Sequence, residues 1–354
     1  MQTLRLKIDS SDLNEADSRT SLNTAARILR DGGTVAFPTE TVYGLGANAL
    51  RAGAVEKIFH AKQRPSWDPL IVHISGADML PLVAASVPPA AKRLISAFWP
   101  GPLTLLLPRH ENIPGIVTAG RPRVGVRIPR HPVAQALIRA ARVPIAAPSA
   151  NTFGHTSPTT AQHVADDLDG RIDAILDAGE ELEGTAHGLE STVVDVCESP
   201  WIIYRPGVIT LEQIREICGD AVAFDEATRD RRAAPSALPS PGVGLRHYAP
   251  RARLILVEYG PDQQRRFAEQ VAALSAKTLG LMLPDQFAAA AGDTHPLIYR
   301  WGDWDRPEQL AQRLFAGLRW LDFQGATTIL CPMPAAHGIG IAIRDRLSKA
   351  AKIA

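Results

Sequence analysis

The sequence predicts a two-domain α/β protein, and three observations carry that prediction. Short apolar runs alternate with stretches of helical periodicity almost from end to end, the pattern of a sheet covered by helices. Some connections between runs are too short for a crossover helix, so the first sheet is expected to be mixed. A Pro-, Ala- and Arg-rich stretch without apolar periodicity, Asp225 to Arg253, interrupts the alternation, and a smaller strand–helix alternation follows it.

Each element has a local reason. Thr34–Phe37 is an apolar run read as a buried strand. From Ala52 to Arg64 apolar residues recur at Val55, Ile58 and Phe59 with helical spacing, and Pro65 ends the helix. Further strands are expected at Leu70–Ile74, Leu103–Leu107, Val124–Ile128, Ala174–Leu176, Thr192–Val196 and Trp201–Tyr204, with helices at Ala90–Phe98, Pro132–Arg142 and Thr160–Leu168. Beyond the interruption come strands at Leu254–Val257, Thr278–Leu283 and Thr327–Leu330, and helices over Gln263–Leu274, over Pro307–Leu321 and from Ile341. That alternation predicts a parallel, doubly wound sheet. The boundaries are drawn at 1–220, 221–251 for the linker, and 252–354.

Composition narrows the class. Hydrophobic residues at 45% and charged residues at 21% of 354 positions supply two cores and exclude disorder. Lys+Arg 38 against Asp+Glu 37 gives a net charge of +1, which excludes attachment to nucleic acid by bulk charge and leaves only a local basic patch. Cys197, Cys218 and Cys331 lie far apart without a CxxC pair, so neither a disulfide framework nor a cysteine zinc site is expected. The opening residues carry acids where a signal peptide needs an apolar run, and no stretch approaches the roughly 20 apolar residues of a membrane helix. A reducing cytoplasm is the expected setting.

Several enzyme signatures are missing: GxxxxGK[ST], HExxH and GxSxG. The run from Gly44 to Ala49 fits a loose G-x-G-x-x-[GA] pattern, but PTETVY separates it from the preceding strand. Its glycines are therefore read as tight-turn residues, as are Gly338 and Gly340. Lys62 and Arg64 close a helix, where they either complement its dipole or present a point charge and a fork to a triphosphate. His73 ends a β run and reads as a structural histidine unless its neighbours are functional. Arg127 stands in an otherwise apolar strand and needs an anionic partner, either a structural carboxylate or that of a substrate. Ser149 and Asn151 form a turn in APSAN, Ser191 precedes a strand and Arg205 ends one; polar strand-end groups of this kind line ligand crevices in α/β sheets.

In order, the motifs PTETVYGLG, KQRP..DPLIVHI, FWPGPLT, VGVRIPRHP, APSAN, SPT, GLESTVVD and YRPG resemble those of the YrdC-like threonylcarbamoyl-AMP synthases. SPGVGLRHYAP and GIGIAIRDRLSKAA resemble the long, two-domain form. The resemblance implies a twisted mixed sheet with a concave active-site face and a smaller C-terminal Rossmann-like parallel α/β domain. It implies synthesis of L-threonylcarbamoyl-AMP and pyrophosphate from L-threonine, bicarbonate or carbon dioxide, and ATP. Downstream transferase proteins then modify tRNA beside the anticodon, direct tRNA contact being possible without being required, and no membrane is involved. Mg²⁺ would be held mainly by the ATP phosphates, with no metal site in the protein.

Carried over residue by residue, the resemblance places L-threonine on Thr41, His73, Arg127, the backbone at Ala147, and Ser191. It places ATP on Lys62, Arg64, Asp68, Arg123, Ser149, Asn151, Ser157, Arg205 and Tyr248. Asp68 and Arg123 stand where the family often carries Asn and Thr. No general base is named. The linker is expected to act as a lid, with Tyr248 at the nucleotide. One rival is a non-catalytic RNA-binding protein that uses the same concave surface. A second, the carbamoyl-adenylating domain of hydrogenase-maturation proteins, comes with zinc-binding cysteines that this chain does not match.

Overall fold

In the computed structural model, which describes residues 2–179, 185–224, 240, 247–274, 278–290 and 297–352, the chain divides into two compact units. The first comprises Met1–Phe153, Pro158–Ala186 and Glu190–Gly244; the second comprises Gly154–Ser157, His187–Leu189 and Leu245–Ala354.

The first unit runs β1 (Leu4–Lys7), α1 (Ala16–Arg30), β2 (Val35–Phe37), β3 (Gly44–Asn48), α2 (Ala52–Lys62), β4 (Ile71–His73), α3 (Leu80–Val83) and α4 (Pro89–Phe98). It continues through β5 (Leu103–Pro108), β6 (Arg123–Arg127), α5 (Pro132–Ala141), β7 (Ile145–Ala146), α6 (Ala161–Leu168), β8 (Ala174–Asp177), β9 (Thr192–Asp195), β10 (Trp201–Arg205), α7 (Leu211–Cys218) and β11 (Ala221–Ala223). The strands form an 11-stranded sheet in the order β1-β8-β2-β3-β7-β4-β6-β5-β9-β10-β11. The sheet is mixed, as expected: β4 lies parallel to β6, and β7 and β5 flank that pair antiparallel. The short connections account for two further antiparallel pairs, β2 with β3 and β9 with β10, since only antiparallel neighbours tolerate such links.

Two local readings change. Gly44 and Gly46 sit in strand β3, not in a tight turn. A Cβ on Gly46 would stand 2.7 Å from Ile145 Cγ2 and 2.8 Å from the Phe37 ring, so the glycine is there for close packing. The linker also starts later than 221: β11 pairs parallel to β10, and Phe224 N–H donates to the Ile203 carbonyl at 2.9 Å. Three small or exposed residues give β11 too little apolar signal to stand out from the linker.

The second unit runs β12 (Arg253–Val257), α8 (Gln263–Ala273), β13 (Leu279–Pro284), a 3₁₀ segment (Asp285–Ala290), β14 (Leu297–Gly302), α9 (Pro307–Phe323), β15 (Thr328–Pro332) and α10 (Gly340–Ala350). Its four-stranded sheet has the order β12-β15-β13-β14, and all pairs are parallel, as the alternation predicted. The chain moves across this sheet in one direction from β12 to β14 and in the other from β14 to β15. Right-handed crossovers therefore put α8 on one face and α9 on the other, with α10 packed against α9. Among the described residues no helix is long and apolar enough to cross a membrane.

Candidate active site

The site begins with β4 and β6, whose parallel register pairs His73 with Arg127. Both side chains are buried, because the strands that carry them lie in the middle of the sheet. Arg127 spreads its fork over three elements. Its Nε donates to the Gly101 carbonyl at 3.2 Å and its Nη1 to Thr41 Oγ1 at 2.9 Å, while Nη2 stands 2.7 Å from Glu40 Oε1. That last approach is an ion pair off hydrogen-bond alignment, and neither Nη2 nor Oε1 makes a hydrogen bond to a described residue. Thr41 is held in turn by Thr39 Oγ1 at 2.8 Å.

The protonation states follow from this burial. Burial alone would push Glu40 up, but the Arg127 charge and the backbone N–H groups of Arg130 and Glu40 outweigh it and hold the carboxyl below the usual range. Burial, then the Arg127 charge, push His73 down to about 3, against smaller opposition from Glu40 and the Ile71 and Ile145 carbonyls. His73 is therefore neutral near pH 7, and its Nδ1 makes no hydrogen bond to a described residue. The site thus holds a cation with an unaligned donor, a carboxylate with an unaligned acceptor, and a neutral imidazole. Glu40 has no place in the sequence assignment. The signal for it was Arg127 itself, whose structural anion is this residue.

The strand start beyond Gly101 carries the same network onward. Thr192 N–H donates to the Pro102 carbonyl at 3.0 Å, which sets Ser191 beside β5. Ser191 Oγ lies 2.8 Å from Thr104 Oγ1 and accepts from Arg205 Nη2 at 3.0 Å, and the Ser191 carbonyl accepts from Arg205 Nε at 2.9 Å. A Cβ on Gly207 would meet Thr192 N at 2.5 Å, so YRPG needs its glycine for this close approach. Ala147 N–H donates to the Ile71 carbonyl at 2.8 Å, so a ligand meeting that backbone would use the carbonyl.

Residues leading into β4 form a second cluster. Lys62 ends α2, is buried, and donates to the Ser149 carbonyl at 2.7 Å, the Asn151 carbonyl at 2.5 Å and Asn151 Oδ1 at 3.4 Å. It braces the APSAN loop. Ser149 Oγ in turn donates to Asn151 Oδ1 at 2.5 Å. Gln63 takes the left-handed conformation (φ 54°) and turns the chain so that Arg64 faces back toward Asp68. Arg64 Nη2 lies 2.9 Å from Asp68 Oδ1 and donates to the Pro69 carbonyl at 2.8 Å, while its guanidinium carbon sits 5.7 Å from the Phe153 ring centroid. Asp68, where the family often has Asn, is thus the counterion of Arg64.

Three sequence-assigned residues have surroundings of their own. Arg123 begins β6, four residues and about 13 Å along the strand from Arg127. It is held by Asp195 and Glu198, so its guanidinium is engaged by two carboxylates. Ser157 belongs to the second unit, where its carbonyl accepts from Arg319 Nε at 3.4 Å. Tyr248 is also in that unit, buried, with φ 66°; its ring stacks on Phe315 at 5.7 Å under the Arg346 guanidinium at 5.2 Å. Of the expected lid at 221–251, residues 225–239 and 241–246 lie outside the described residues.

Comparison with known proteins matches this arrangement to a family. Residues 27–207 match the Sua5/YciO/YrdC family, described as "Telomere recombination", and residues 209–352 match the "Threonylcarbamoyl-AMP synthase, C-terminal domain". The chain belongs to the Sua5/YciO/YrdC family. A threonylcarbamoyl-AMP synthase of this family from Pyrococcus abyssi is 42% identical over 93% of this chain and 93% of its own length. One from Bacillus subtilis is 40% identical over 99% and 98%. The fold is similar to the crystal structure of P. abyssi Sua5 complexed with L-threonine, with a TM-score of 0.88 and 39% identity over 99% of this chain and 98% of that one.

Proposed function

We propose that this chain is a threonylcarbamoyl-AMP synthase that makes L-threonylcarbamoyl-AMP and pyrophosphate from L-threonine, bicarbonate or carbon dioxide, and ATP. Two relatives similar over nearly their whole length carry that name, and the P. abyssi protein has been crystallised with L-threonine. One observation carries the reading for this chain's own residues. Arg127 is a buried cation whose Nη2 donors are not aligned on Glu40, beside a neutral His73 whose Nδ1 makes no hydrogen bond to a described residue.

Arg127 takes the threonine carboxylate, and the hydroxyls of Thr41 and Ser191 with the His73 imidazole orient the amine and side-chain hydroxyl. Ala147 contributes its carbonyl. ATP lies against Arg64, Arg205, Ser149 and Asn151, with Lys62 keeping that loop in shape and Asp68 fixing Arg64. Ser157 and Tyr248 are the remaining nucleotide positions that the family resemblance assigns, and Arg123 contributes through its backbone. The two groups of residues flank β4, whose three residues span about 7 Å.

The threonine amine loses a proton and adds to the carbon of carbon dioxide, or attacks bicarbonate with a C–O bond breaking and water leaving, and either route forms a carbamate. A carbamate oxygen then attacks the α-phosphorus in line, and pyrophosphate leaves. Catalysis consists of positioning and charge stabilisation. His73, held neutral by burial, is assigned to orienting the amine, and no side chain is named as the general base. Among the described residues no group of three or more His, Cys, Asp or Glu could hold a metal. The Mg²⁺ that accompanies ATP would be held mainly by phosphate oxygens and water, where it would neutralise phosphate charge.

The catalytic chemistry is assigned to residues 1–224, which end just past β11, with the linker and lid between 225 and 251 and with 252–354 as the C-terminal domain. The enzyme works in the cytoplasm and passes its product to transferase proteins that act on tRNA. Pyrophosphate release from ATP and Mg²⁺ tests the reading: it is expected to require both L-threonine and bicarbonate. Release that ignores threonine, or salt-sensitive RNA binding with no release at all, would overturn it.

A further inference from the structure

The second unit holds a cavity of about 410 Å³, within the range of roughly 300–1,000 Å³ typical of small-molecule sites. It lies at the carboxyl ends of the parallel strands. Tyr259 and Pro261 come from the loop after β12, Gln263 and Gln264 from the start of α8, Phe287 from the segment after β13, and Trp304 from the turn after β14. The chain leaves β12 and its neighbour β15 toward opposite faces of the sheet, so this is a topological switch point, where open α/β sheets bind ligands. Among the described residues no charged side chain lines the cavity.

Gln263 makes the cavity more than an apolar dent. It is 4% exposed, and its Nε2 donates to the Val257 carbonyl at 2.9 Å and the Met333 carbonyl at 2.8 Å, which ties the ends of β12 and β15 together. Both amide hydrogens are spent on strand ends, so the orientation of the carboxamide is fixed. The remaining polar atom, Oε1, accepts no hydrogen bond from any described residue. The aromatic walls are ordered too: Phe287 and Trp304 lie 5.1 Å apart at 53°, and Phe287 meets Phe267 edge-on at 5.6 Å. Tyr259 stands at the rim, 55% exposed.

These features select a ligand. An anion would find no cation among the described lining residues, and an aliphatic ligand would leave Oε1 without a donor. A flat, uncharged heteroaromatic ring with an amino group satisfies both the walls and the fixed acceptor. We propose that this cavity binds a nucleobase bearing an exocyclic amine, adenine, cytosine or guanine, by stacking on Tyr259 and Trp304 with the amine donating to Gln263 Oε1. The base belongs either to a free nucleoside or to single-stranded RNA. The proposal is independent of the reading of the first unit.

The test uses the full chain labelled with 5-fluorotryptophan, the Trp304 fluorine signal being assigned by Trp304→Phe. Adenosine, cytidine, inosine, uridine and a short oligoadenylate are titrated separately. Adenosine and cytidine are expected to shift the Trp304 signal saturably, with inosine and uridine at least about tenfold weaker because each sets a carbonyl against Oε1. Tyr259→Ala, at an exposed rim position, is expected to weaken adenosine by roughly tenfold. A response to oligoadenylate alone identifies RNA as the source of the base, and an equal or stronger response to adenosine identifies a nucleoside pocket. A Trp304 signal unmoved by millimolar concentrations of every probe would overturn the proposal. So would one that responds equally to adenosine and inosine, or that is unchanged by Tyr259→Ala.

Discussion

Replacing Arg127 by Ala strands a buried carboxylate, and the consequence has a distinctive pH signature. In the intact chain Glu40 titrates below its unfolded value because Arg127 and backbone donors outweigh burial. The pair therefore adds stability that is complete above a pH of about 4.5 and is lost as the pH falls. Without Arg127 the burial of Glu40 dominates and its folded pKa rises above the unfolded value. The variant then gains stability as the pH falls from 7 toward 5, where the intact chain gains none. Breaking a buried pair by removing one partner costs about 3–5 kcal/mol. Glu40→Gln in the Arg127→Ala background removes the stranded charge and is expected to recover about 2 kcal/mol or more at pH 7 while abolishing the acid gain. Urea unfolding of the three variants between pH 5 and 8 measures both effects. Calorimetry adds the functional readout: both variants lacking Arg127 lose threonine affinity, whereas Glu40→Gln alone retains measurable binding. Equal stability and equal pH slopes for Arg127→Ala and the double variant would refute the coupling.

Three further outcomes follow from named contacts. Lys62→Met removes the donor to the Ser149 and Asn151 carbonyls, and is expected to destabilise by about 2–4 kcal/mol and to raise the KM for ATP more than that for threonine; unchanged thermal unfolding would contradict its role as a brace. His73, held at about 3 when folded against about 6.5 unfolded, contributes stability that is complete above pH 6.5 and fades as the pH falls toward 3, and ¹⁵N spectra at pH 5 are expected to show a neutral ring. A protonated ring at that pH would contradict its environment. Arg123→Ala breaks the contacts to Asp195 and Glu198, and is expected to leave the KM for ATP within about twofold, a larger rise placing its guanidinium on the nucleotide.

What the sequence made legible was what local pattern controls. Largely apolar runs marked β4, β5, β6 and β9, because a strand buried on both faces is made mostly of apolar residues. Strands with a different logic escaped notice. β1 is an exposed edge whose partner, β8, lies about 170 residues away, as Leu4 opposite Ala174 shows. β3 carries glycines that read as a turn, and only the Phe37 ring and Ile145 explain them. Helix α1 buries Leu22, Ala25, Ala26 and Leu29, and its two alanines are too small to mark an apolar face. The site followed the same rule. Arg127 announced its need for an anion, but nothing local in PTETVY singled out Glu40, since the pair closes across 87 residues of chain. Lys62 looked like a phosphate cation because a lysine at a helix end has no visible partner until the APSAN loop folds onto it.

The central claim is that Arg127 holds the threonine carboxylate, leaving the amine to be carboxylated and the carbamate, not the carboxylate, to be adenylated. The most direct measurement supplies ¹³C-bicarbonate with L-threonine, ATP and Mg²⁺ and identifies the adenylate by mass spectrometry before it decays. The account predicts threonylcarbamoyl-AMP with the label in its carbamoyl carbon, and no such product from Arg127→Ala. An unlabelled threonyl-adenylate joined through the amino-acid carboxylate would contradict it, because that product needs the group that Arg127 is assigned to hold.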